Sequence, residues 1–161
     1  MMTQKNVSRW MMVAGALAAI GVLALALIYA PVLANDFRTM YPEYASLYWP
    51  GLIGVWMIAG LFMLGLYEYF QVCARIGKDR SFCRENVRSL ERISLYMFVM
   101  ACLWIAAIFA PGLLFRLGVG PVWILFLLCA MASAALGMLA YGLSKLLKRA
   151  VDLKEENDLT V

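Results

Sequence analysis

The chain has 161 residues, 65% of them apolar and 15% charged, with no histidine and a formal net charge of +4; its mean hydropathy is +0.80. Soluble domains run at about half apolar and a quarter charged, so this composition indicates a membrane protein, of single-domain size. Four cysteines form no CxxC pair, which disfavours zinc and dithiol chemistry; no metal or cofactor is expected, and without histidine the case for an enzyme is weak.

The first span is predicted over Trp10 to Leu33, twenty-four residues without a charge, where about 20 suffice to cross about 30 Å of hydrocarbon. Val32 and Ala34 resemble a cleavage pattern before Asn35, but the apolar run exceeds the roughly 7–15 residues of a signal peptide, so a retained anchor is expected. The stretch Asn35 to Trp49 carries Phe37, Tyr41, Tyr44, Tyr48 and Trp49. It reads as an outer loop whose rings form an interfacial belt or, alternatively, a ligand-binding lid. Tyr41, Tyr44 and Tyr48 have helical spacing, but Pro42 interrupts a continuous helix.

The second span, Pro50 to Val72, holds one ionisable residue, Glu68, near its inner end. A carboxylate within a span is a functional candidate. The alternative is an ion pair at the interface with Arg75, one to two turns away.

Residues 73–92 form a connector, and nine of the chain's twenty-four charges lie between Arg75 and Arg92. Gly77-Lys78-Asp79 reads as a turn, with Asp79 or Ser81 capping a new helix. One face of that helix carries Phe82, Asn86, Leu90, Ile93 and Met97, and the other carries Arg84, Arg88, Glu91 and Arg92. An amphipathic cytoplasmic helix is therefore expected to lie along the membrane surface before the third span turns inward. Arg84, Arg88 and Arg92 repeat every four residues, a stripe suited to anionic headgroups or to an acidic protein.

The third span covers residues 93–115, a short outer turn covers Arg116 to Gly120, and the fourth span covers residues 121–147, followed by a tail at 148–161. Small residues Ala130, Ser133, Ala134, Gly137, Ala140 and Ser144 form a packing stripe on the fourth span, and Gly15, Ala18, Ala19 and Val22 form one on the first. Twelve of the fourteen lysines and arginines fall on one side, all but Arg38 and Arg116, which predicts cytoplasmic termini and explains the basic charge without direct nucleic-acid binding. Ile28-Tyr29-Ala30-Pro31-Val32-Leu33 and Ile108-Phe109-Ala110-Pro111-Gly112-Leu113 echo each other, as a parallel repeat of two helical hairpins or as coincidence in apolar sequence. The fold expected is all-α: a polytopic protein with four transmembrane helices as two hairpins.

The connector pattern Gly77, Ser81, Phe82, Glu85, Asn86, Val87 and Leu90, with the terminal run Glu155 to Val161, resembles an uncharacterised bacterial family of small four-helix membrane proteins of the YoaS type. Lys78-Asp79-Arg80 is more charged than that pattern leads one to expect. The resemblance implies a multi-pass protein of the bacterial cytoplasmic membrane, working beside a small cytosolic helix-turn-helix regulator. It supplies no catalytic residue.

The leading expectation is a non-enzymatic membrane protein whose cytoplasmic face binds a protein partner. Its contact residues are expected to be Arg84, Glu85, Asn86 and Arg88 in the connector with Glu155, Glu156, Asn157, Asp158, Leu159 and Val161 in the tail. The terminal residues can add as a strand to a partner's edge, or the acidic tail can pair with the basic stripe within one molecule. The alternative is a small transporter or immunity-type protein for a toxic peptide or small molecule, using Glu68 and the aromatic outer loop. Besides the lipid bilayer, a second copy of the chain is a possible partner.

Overall fold

Hydrocarbon offers a backbone no water to bond, so a chain this apolar must satisfy its amides within helices. The computed structural model describes residues 4–78, 80–115 and 123–159. Asp79, the turn Arg116–Gly120, Pro121, Thr160 and Val161 lie outside the described residues, as do the side chains of Asp158 and Leu159. The described elements are α1 (Gln4–Ala24), a π-helical turn (Leu25–Tyr29), α2 (Ala30–Met40), a 3-10 turn (Pro42–Leu47), α3 (Tyr48–Ile76), α4 (Arg84–Phe115) and α5 (Trp123–Leu159). Four stretches are long and apolar enough to cross a membrane: Lys5–Met40, Pro42–Ile76, Arg84–Leu113 and Trp123–Asn157.

α1 packs on α3, α3 on α4, and α4 most extensively on α5, while no substantial packing joins α1 to α4 or α5 among the described residues. The helices thus form an open row of two hairpins. Its best-buried seam sets Met97, Met100 and Ala101 of α4 beside α5, whose Ala130, Ser133, Ala140 and Ser144 are buried. Small residues permit that approach: a Cβ on Gly137 would meet the Cβ of Met97 at 3.3 Å. In the other hairpin, a Cβ on Gly15 would lie 3.0 Å from the rings of Tyr69 and Phe70.

Helix lengths depart from the predicted spans. The stretch expected as an outer loop is helical as far as Met40, because its polar residues bond within the helix: Thr39 Oγ1 donates to the Asp36 carbonyl and Arg38 to Asn35 Oδ1. The break comes at Tyr41 (φ −130°, ψ 78°), immediately before Pro42. Phe37, Tyr41 and Tyr44 then stack in a cluster at this aromatic end, and the Arg38 guanidinium lies 5.3 Å from the centre of the Tyr48 ring.

At the opposite, basic end, α4 runs unbroken for 32 residues. The connector helix is therefore the first turns of α4 itself, with no bend between a surface segment and a span. α5 has 37 residues, about 55 Å at 1.5 Å per residue, so its charged last turns extend beyond about 30 Å of hydrocarbon.

Proline explains the π-helical turn in the first span. The Ala30 amide donates to Leu25, five residues back, and the next residue, Pro31, has no N–H to give to the Ala26 carbonyl. Ala26 is only 4% exposed, so that oxygen needs a donor from elsewhere. Trp56 Nε1 on α3 supplies it at 3.0 Å. Pro111, its echo in the third span, sits inside the continuous α4, so the repeat does not extend to this device.

Removing the indole donor by Trp56→Phe is expected to cost about 1–3 kcal/mol of stability. Adding Pro31→Ala restores an N–H in the first span and is expected to recover part of the loss. Denaturant unfolding in bicelles measures both, and a double variant no more stable than Trp56→Phe would contradict this account.

Candidate functional site

The polar side chains of the connector converge where α3 ends and α4 begins. Gly77 closes α3 by donating its amide to the Cys73 carbonyl at 3.0 Å. That carbonyl also accepts from Ser8 Oγ of α1 at 2.7 Å. A Cβ on Gly77 would come within 2.9 Å of this hydroxyl, so glycine is what lets α1 reach the end of α3. The Lys78 and Arg80 amides turn back onto the Arg75 carbonyl at 3.1 and 3.0 Å.

Arg75, in the last turn of α3, donates to Asn86 Oδ1 at 3.2 Å and to Ser89 Oγ at 3.0 Å. Asn86 is 1% exposed. Its amide nitrogen donates to the Ser81 carbonyl at 2.9 Å and more weakly to that of Arg80 at 3.4 Å. One asparagine thus ties the end of α3, the connecting loop and the first turns of α4. Among the described residues, no buried side-chain nitrogen or oxygen lacks a partner, as a buried polar cluster requires.

One turn deeper, Glu68 of α3 accepts from Arg92 of α4 at 2.8 Å; its side chain is 6% exposed and that of Arg92 61%. The expected partner was Arg75, on the same helix. Arg75 is instead committed to Asn86 and Ser89, and the antiparallel packing of α3 on α4 brings Arg92 to the carboxylate. On the far side of α4, Arg84 forks onto Glu155 of α5, with Nε–Oε1 at 2.9 Å and Nη2–Oε2 at 2.6 Å, and lies 3.6 Å from Asp152. The acidic tail is thus paired within one molecule through Glu155; Thr160 and Val161, on which strand addition to a partner would rest, lie outside the described residues.

The proposed contact residues therefore separate. Arg84 and Glu155 join each other, Asn86 is interior, and Glu85, Arg88, Glu156 and Asn157 are exposed. Phe82, expected on the apolar face of the connector helix, lies before α4, which starts at Arg84, and is 58% exposed. α4 begins at Arg84, which puts Cys83 and not Ser81 in the capping position; Ser81 contributes its carbonyl, which accepts from Asn86. Sequence reasoning passed over Ser8, Cys73, Ser89 and Asp152. Asp152 alone left a signal, lying one turn before Glu155 and thus on the same helix face.

Two open clefts flank the start of α4. One, of about 340 Å³, lies on the α5 side and is lined by Phe82, Cys83, Glu85, Val151, Lys154 and the Arg84–Glu155 pair. The other, of about 280 Å³, lies on the α3 side, with Tyr67, Gln71, Arg88 and Ser89 around the Glu68–Arg92 pair.

Four apolar helices in an open row, aromatic at one end and locked by buried polar groups at the other, define an integral membrane protein of the four-span helical class. Residues 32–161 match the family described as protein of unknown function DUF2975, and the chain belongs to that family. The chain is also 30% identical over 143 residues, 88% of its own length and 89% of the relative's, to the uncharacterized membrane protein YoaS of Bacillus subtilis (strain 168). No solved structure matches the chain.

The unequal burial of the Glu68–Arg92 pair makes its two halves unequal in stability. Arg92→Gln removes the direct partner of a buried carboxylate, leaving it Ser89 and the more distant charge of Arg75, and is expected to be the more destabilising of the two changes. Glu68→Gln leaves an arginine that can turn to water and should cost clearly less. Unfolding of both variants in bicelles checks the order; equal losses would show that the pair is not held as described.

Proposed function

We propose that this is a non-enzymatic protein of the bacterial cytoplasmic membrane, with both termini in the cytoplasm, whose connector and tail together dock a cytosolic protein. The distribution of lysine and arginine supports that orientation, with twelve of fourteen at the basic end. The observation that carries the docking reading is the fork between Arg84 and Glu155, residues 71 apart in sequence. It joins the start of α4 and the far end of α5 into one preformed surface. A bidentate guanidinium–carboxylate pair has defined geometry, although at this exposure it adds little to stability. Its service is alignment.

Around that pair, the cleft on the α5 side mixes an exposed aromatic, Phe82, with Glu85 and Lys154. An aromatic anchor rimmed by charge is the usual make-up of a docking site. The family resemblance suggests the occupant, a small helix-turn-helix regulator held at the membrane. Transport through Glu68 has less support: its carboxylate is engaged by Arg92 and lies about 30 Å along α3 from the aromatic end, at 1.5 Å per residue.

Capture from native membranes tests the reading. The full chain is expected to retain a helix-turn-helix protein that a chain lacking Glu155 to Val161 does not. Arg84→Glu and Glu155→Arg should each release it, and the two together should recover much of the binding by restoring the pair with its charges exchanged. If the truncated chain retains the same cytosolic proteins as the full chain, the docking reading fails.

A further inference from the structure

The cleft on the α3 side of α4 has a different chemistry. Arg88 and Arg92 lie four residues apart on α4, hence neighbours on one face. Arg92 bonds Glu68 through Nη1 alone, and its side chain is 61% exposed, so donors remain open to the cleft. Arg88 is exposed and lines the same cleft, and it makes no hydrogen bond or ion pair with any described residue. Arg88 is thus an arginine close to the bilayer, in a cleft, that forms no ion pair with any described residue.

We propose that this cleft binds the phosphate of an anionic phospholipid, forked between Arg88 and Arg92. Depth supports a lipid as the source. Arg88 lies five residues before Ile93, where the apolar part of α4 begins, or about 7.5 Å along the helix. That is the headgroup level. Tyr67 of α3, 60% exposed, stands beside the cleft as an amphipathic ring suited to the same level. Gln71 and Ser89 add polar groups to the lining.

Charge supports an anionic headgroup over a neutral one. The lining holds three guanidinium groups, Arg75, Arg88 and Arg92, and two carboxylates, Glu68 and Glu85, a surplus of one positive charge. Glu68 is paired with Arg92, and Glu85 sits in the field of Arg80 and Arg75, whose guanidinium Asn86 and Ser89 also hold. Glu85 is exposed and borders both clefts. The surplus therefore resides at Arg88, where a phosphodiester oxygen can meet the two parallel N–H groups that a guanidinium presents and an ammonium lacks. This site stands apart from the docking surface, which uses the α5 side of α4, and neither reading requires the other.

Native mass spectrometry of the full-length protein in mild detergent, titrated with phosphatidylglycerol, tests it. One lipid is expected to remain bound. Arg88→Gln should weaken it about tenfold, as loss of a charge-assisted fork implies, and Arg88→Lys should fall in between. Arg84→Gln, which removes an equal charge from the other side of α4, should change it less than about twofold, the residual effect of one surface charge screened by salt. Phosphatidylethanolamine should bind several-fold more weakly, and inorganic phosphate at millimolar concentration should not displace the bound lipid. Equal losses in Arg88→Gln and Arg84→Gln would reduce the site to a diffuse basic belt and overturn it. Equal binding of the neutral lipid, or displacement by inorganic phosphate, would overturn the anionic-lipid assignment.

Discussion

The hydrogen bonds of Arg75 set the form of the basic end. Its guanidinium closes α3 by reaching across to Asn86 and Ser89 of α4, and Asn86 spends its remaining capacity on the carbonyls of the loop between them. Beside hydrocarbon an unsatisfied polar group costs several kcal/mol, so such a cluster holds as a whole or not at all. The rotation of α4 about its axis follows from it. With Asn86 and Ser89 turned inward, Arg92 meets Glu68 and Arg88 faces the α3-side cleft, while Arg84 points away toward Asp152 and Glu155. Gly77 and Ser8 bring the start of α1 to the same place.

The rest of the molecule is held by packing and by single hydrogen bonds that answer local faults. α4 and α5 approach through small residues, the means available where burial of apolar surface gives no net drive. The first span reaches α3 by Gly15 and by donors to its carbonyls, Tyr69 on Met11 of α1 and Trp56 on Ala26 of the π-helical turn. Hairpin one is thus joined by few, specific contacts, and hairpin two by a continuous seam. Membership in a family of unknown function and 30% identity to an uncharacterized membrane protein add the class without an activity.

Much of this architecture was legible in the residues. Apolar runs marked the four spans, Pro42 marked the break between the first and second, and the small-residue stripe on the fourth span marked its packing face. What escaped has physical reasons. Hydropathy reports where hydrocarbon ends, whereas helices end where caps and breakers stop them, so α2 continues through Asn35 to Met40 and α5 through the acidic tail. Charge partners were sought along one helix, but Glu68 found Arg92 across two. Periodicity sets Asn86 on the apolar face of the connector helix, while its polarity also suggests a partner contact; its burial rests on a three-way bonding pattern that no linear spacing encodes. The π-helical turn was readable in part: Pro31 signals a missing amide, and only the fold reveals Trp56 as the donor that compensates.

Hydrogen exchange in lipid nanodiscs tests most directly whether one polar cluster organises this end. The account predicts that amides of residues 84–90 and 148–157 are protected together in the intact protein. Arg75→Gln should speed exchange in both segments and leave the α4–α5 seam around Met97 and Gly137 unchanged. Exchange unaltered by Arg75→Gln, or altered in one segment alone, would show that connector and tail are held independently and that the cluster does not set their arrangement.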